Sequence, residues 1–60
     1  MKNKKILIVE DETIVALDIR SALRKLQYEV TSIVTNYEDA IKSVNEDIPD
    51  VVIMDINLND

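Results

Sequence analysis

Sixty residues make at most one small domain, and a chain of this size buries only about 60% of the surface its unfolded form exposes. It contains no cysteine and no histidine, which excludes a disulfide framework, a thiolate metal site and the commonest general base. A net charge of −5 argues against a nucleic-acid-binding surface, and the absence of glycine excludes both glycine-rich phosphate loops.

The chain starts basic, Met1-Lys2-Asn3-Lys4-Lys5, and only four apolar residues follow before Glu10. That run is too short for a signal peptide or a membrane span, so the chain reads as cytoplasmic with no membrane contact. Lys4 to Val9 predicts a strand, because a continuous aliphatic run suits a parallel strand covered on both faces. Glu10-Asp11-Glu12 follows it directly. The spacing then predicts a helix from Thr13 to about Leu26, with Val15, Ile19, Ala22, Leu23 and Leu26 facing inward. Ile14 and Leu17 read as the margin of that core stripe, and Asp18, Arg20, Arg24 and Lys25 take the outer side. Asp11, Glu12 or Thr13 is the cap candidate. Gln27-Tyr28 ends the helix without the glycine usual there.

Glu29 to Thr35 predicts a second strand, β-branched but less apolar, as suits a sheet edge. Asn36 reads as the cap of a helix from Tyr37 to about Asn45, with Ala40, Ile41 and Val44 inward. Tyr28 and Tyr37 read as packing residues at helix ends. Asp47-Ile48-Pro49-Asp50 breaks the helix, since Pro49 pushes Ile48 out of helical geometry. Val51 to Asp55 is the third strand, and Ile56 to Asp60 a loop.

The order β-α-β-α-β with short connections implies parallel strands and right-handed crossovers. Placing the most apolar strand in the middle gives the strand order 2-1-3, with the two helices on opposite faces. Ligands in open α/β sheets bind at the carboxyl ends of strands where the chain reverses direction. Glu10, Asp11 and Asp55 fall at that point. Crowded carboxylates resist ionising together, and a hard cation such as Mg²⁺ relieves them. Glu12 reads as structural.

These segments, Ile6-Leu7-Ile8-Val9-Glu10-Asp11-Glu12 and Pro49-Asp50-Val51-Val52-Ile53-Met54-Asp55 at this spacing, resemble the receiver domain of two-component response regulators. The resemblance covers nearly the whole chain and implies a three-layer, flavodoxin-like α/β fold, of which residues 1–60 form the first β-α-β-α-β portion. It implies that Asp55 is the phosphoacceptor, taking a phosphoryl group from a sensor histidine kinase or a phosphotransfer protein. It implies that Asp11 binds Mg²⁺ directly, that Glu10 acts on the metal directly or through water, and that the Asn57 backbone carbonyl is a further ligand. The chain is then a signalling phosphoacceptor rather than an enzyme.

The family's pattern runs to about twice this length, with a fourth and a fifth strand and three further helices. It includes a hydroxyl residue and a lysine at the ends of those strands, which have no counterpart here. The third strand is thereby expected to present an open apolar edge that invites self-association. Two other readings differ in class. One is a receiver-like interaction module that is never phosphorylated. The other is an aspartyl-phosphate hydrolase of haloacid-dehalogenase type, disfavoured because Asn57 stands where that family carries a second acid.

Overall fold

The computed structural model describes residues 4–55. Strand β1 (Lys5–Glu10), helix α1 (Thr13–Lys25), strand β2 (Glu29–Val34), helix α2 (Tyr37–Glu46) and strand β3 (Val51–Asp55) follow one another along the chain. The three strands form one parallel sheet in the order β2-β1-β3. The expected α/β architecture and strand order are therefore present. The loop expected over residues 56–60, and Asn57 with it, lies outside the described residues.

The aliphatic run of β1 makes it the centre of the sheet. Leu7, Ile8 and Val9 are fully buried, each stabilising the fold by roughly 1.5–3 kcal/mol relative to exposure. Alternation along the strand divides them between two layers. Ile6 and Ile8 pack with Ala16, Ile19 and Leu23 of α1, together with Val30, Ile33 and Ile53. Leu7 and Val9 pack on the other face with Ala40 and Val44 of α2.

Helix α1 is rotated relative to the stripe expected from hydrophobic spacing. Its one fully buried residue is Ala16, and Ile19 and Leu23 continue that face. Val15 is 38% exposed, Leu26 is 68% exposed, and Ala22 is also exposed. Ile14, expected at the core margin, is 82% exposed. The physical reason is size: Ala16 lets the helix approach the sheet closely, yet contributes little to an apolar pattern. In α2, Ala40 is buried and Val44 packs, while Ile41 stays exposed along an open apolar groove that it lines with Leu7, Ala40, Val44, Val52 and Met54. Tyr28 and Tyr37 at the helix ends are also partly exposed.

The helix ends use different devices. No side chain caps the start of α1, although Glu12 occupies the N-cap position. Asn36 caps α2: its side-chain oxygen accepts the Asp39 amide at 2.8 Å, and its Nδ2 donates to the Asp39 carboxylate at 3.1 Å. Glu38 and Asp39 in the first turn also favour the positive end of the helix dipole. At the end of α1, the Tyr28 amide donates to the Leu23 carbonyl at 3.0 Å and the Gln27 amide to the Arg24 carbonyl at 2.9 Å. This is the double bond pattern of a Schellman stop, which requires a left-handed residue. Gln27 takes that conformation with φ 70.

The start of β3 is fastened to the start of β1. The Lys5 amide donates to the Asp50 carboxylate at 2.8 Å, and the Asp50 amide donates to the Lys5 carbonyl at 2.7 Å. Lys5 Nζ reaches Asp47 at 2.8 Å, an exposed pair that salt screens. From this clasp the β1–β3 ladder runs without irregularity from Ile6–Val51 to Glu10–Asp55. The β1–β2 ladder is less regular, with a register shift between Ile6 and Leu7 that leaves Thr31 unpaired.

A side chain at φ 70 is strained, and glycine relieves that strain. Gln27→Gly is expected to raise stability by roughly 1 kcal/mol, seen as a higher urea midpoint with an unchanged slope. A lower midpoint would mean that the α1 stop is not the strained position.

Candidate functional site

Strand ends and one turn assemble the site. Glu10 is the last residue of β1 and Asp55 the last of β3, and they are direct partners in the parallel ladder. Counting in twos from Ile8 and Ile53, both carboxylates leave the sheet on the α1 face. The turn Asp11–Glu12 leads into α1 beside them. Glu10, Asp11, Glu12 and Asp55 border one pocket of about 250 Å³, and Val15 of α1 also lines it among the described residues.

The carboxylates differ in environment. Glu10 is only 4% exposed, the one buried charged residue among those described. Its Oε2 accepts the Glu12 amide at 3.1 Å, whereas its Oε1 is buried and has no hydrogen-bond partner. Asp11 and Asp55 are exposed. The Glu12 amide favours the ionised form of Glu10. Burial, its side-chain interaction with Asp11, and the charges of Asp55 and Asp11 oppose this and prevail. The Glu10 pKa therefore lies above the ordinary value of 4.5.

Glu10, Asp11 and Asp55, expected together from the sequence, are thus brought together, and Glu12 contributes through its backbone. Asn57 is beyond the described residues. Among the described residues no three acidic side chains converge into a ready-made metal cage. That arrangement still suits Mg²⁺, which keeps several waters and takes only one or two protein carboxylates. The orphaned Glu10 Oε1 is an all-oxygen donor available to such an ion or to one of its waters. Val15 is the lining residue that sequence reasoning assigned to the core. Its place beside the acidic turn, four residues after Asp11, was the available signal.

A parallel, doubly wound sheet with carboxylates clustered at the carboxyl ends of the strands beside its switch point defines a flavodoxin-like α/β domain. The chain belongs to the response regulator receiver domain family, whose family model matches residues 6–60. It is also 34% identical over 55 residues to the chemotaxis protein CheY of Thermotoga maritima, a match covering 92% of this chain and 46% of that protein. The chain spans about half the length of the curated relative it matches. Receivers are signalling domains of two-component systems. No helix among the described residues is long and apolar enough to cross a membrane.

The raised Glu10 pKa has a consequence for stability. The folded chain holds the Glu10 proton more tightly than the unfolded chain does. Raising the pH above 4.5 therefore ionises the unfolded chain first and lowers stability until the folded group has also titrated. In metal-free buffer the melting temperature is expected to fall across that window. Glu10→Gln keeps an acceptor for the Glu12 amide, removes the charge and should flatten this fall. A variant with the same pH slope as the parent would assign the effect elsewhere.

Proposed function

We propose that the chain carries the phosphoacceptor face of a cytoplasmic receiver, with Asp55 as the residue phosphorylated. The supporting observation is the ladder pairing of Asp55 with Glu10, whose inner oxygen is buried and unpartnered. One Asp55 oxygen attacks the phosphorus of a phosphohistidine on a sensor kinase or phosphotransfer protein. The phosphorus–nitrogen bond breaks, and the histidine nitrogen keeps the electron pair. A carboxylate is already ionised at neutral pH, so this attack needs no general base. Asp11 and Glu10 are the side chains suited to hold Mg²⁺, with Asp55 itself and the Asn57 carbonyl as further ligands. When bound, the ion supplies positive charge against the phosphoryl oxygens. Asp55 is modified and later restored, so the role is that of a signalling acceptor rather than a turnover enzyme.

The same face accounts for the division of labour between the acids. Asp55 is exposed at a strand end, where a donor protein can reach it. Glu10 is buried at the end of β1, and its Oε2 accepts the Glu12 amide. The direct test is intact mass after incubation with Mg²⁺ and acetyl phosphate. One added phosphoryl group is expected, absent in Asp55→Asn, and Asp11→Asn should weaken Mg²⁺ binding at least about tenfold. A chain that gains phosphate equally well as Asp55→Asn would sink the assignment.

Self-association through β3 is part of the proposal. Val51, Val52 and Met54 are exposed, and the outer edge of β3 has no strand partner among the described residues. Regular apolar edges add strands, and charges on an edge prevent it. Val52→Lys is accordingly expected to reduce concentration-dependent association in light scattering. Unchanged association would place the contact on another surface.

A further inference from the structure

We propose that Val15 governs how long a phosphoryl group survives on Asp55, by denying water a place beside it. This rests on the phosphoacceptor reading above and extends it to the fate of the product.

The lining of the pocket is chemically one-sided. Glu10, Asp11, Glu12 and Asp55 are acids, and among the described residues Val15 is the one apolar residue that borders it. Val15 is not a core residue of α1, whose packed face is Ala16, Ile19 and Leu23. It stays 38% exposed beside the acids although its own helix has a sheet to pack on. Its position in the first turn of α1 fixes it further. A β-branched side chain in a helix holds essentially one χ1 rotamer, so Val15 is a stiff wall.

Loss of the phosphoryl group is hydrolysis. A water oxygen attacks phosphorus, the bond from phosphorus to the Asp55 oxygen breaks, and Asp55 keeps the electron pair. The proton of the attacking water passes to solvent, leaving inorganic phosphate and a free carboxylate. The attacking water must be held by hydrogen bonds while it approaches. Carboxylates on one side of the pocket can hold it, and the Val15 methyl groups cannot. The uptake step, by contrast, uses the Asp55 oxygen and a donor from outside and has no need of that wall. Val15 is therefore a water-excluding residue and not a catalytic one.

The test compares the full chain with Val15→Thr, which keeps the shape and adds a hydroxyl, and Val15→Ile, which enlarges the wall. Each is phosphorylated with Mg²⁺ and acetyl phosphate, the donor is removed, and the phosphorylated fraction is followed by intact mass. Val15→Thr is expected to lose its phosphoryl group at least about threefold faster and Val15→Ile more slowly. Initial uptake and Mg²⁺ affinity should change less than about twofold. Thermal melts separate this from a packing role, which would shift the midpoint and leave the decay rate unchanged. Equal decay in all three chains after normal uptake overturns the role of Val15 alone. No uptake in any chain overturns the phosphoacceptor reading, and this inference with it.

Discussion

The site depends on the clasp between Lys5 and Asp50. Two hydrogen bonds there, with the Asp50 carboxylate on one amide and the Asp50 amide on one carbonyl, set the offset between β1 and β3. The ladder then advances residue for residue until Glu10 meets Asp55. A slip of one position would send Asp55 to the opposite face of the sheet from Glu10, because side chains alternate with period two. The acids at the carboxyl ends are therefore aligned by a contact at the far end of the strands. The β1–β2 ladder contains an irregularity and carries none of the site.

Folding and function pull in opposite directions at Glu10. A buried carboxylate with one unsatisfied oxygen, close to two further acids, opposes folding whenever it is ionised. The chain tolerates this because Glu10 follows directly on Leu7, Ile8 and Val9, all fully buried between the two helices. The strand that supplies most of the core also carries the least favourable group into place. Local strain or frustration at a functional site, held by well-packed surroundings, is the expected pattern.

Much of this was legible in the residues. The all-aliphatic Ile6–Val9 run announced a central strand, Asn36 announced a cap, and Pro49 announced the break before β3. The two acidic strand ends followed from those placements. The α1 face was misread because hydrophobic spacing weighs Val15 and Leu26 above Ala16, while close packing against a sheet favours the smaller side chain. Ile41 keeps to the side of Ala40 and Val44 as expected, but it lines an open apolar groove beside β3 rather than a closed core, which leaves it exposed. Gln27 was legible as the helix stop, in the place where a glycine is usual, but not as a left-handed residue; that φ accompanies the Schellman hydrogen bonds from Gln27 to Arg24 and from Tyr28 to Leu23.

The misreading of Val15 bears on the chemistry. An apolar residue in the first turn of a helix is ordinarily counted toward the core, and here the packed cluster among the described residues does not include it. The same helix serves two purposes through adjacent residues. Ala16 fixes the distance between α1 and the sheet, and so fixes how close the first turn lies to Glu10 and Asp55. Val15, one residue earlier, is carried to the rim of the acidic pocket by that approach. A larger residue at position 16 would lift α1 from the sheet and withdraw Val15 from the pocket. The small buried side chain and the exposed apolar one are thus a single structural decision, and the pocket wall depends on both.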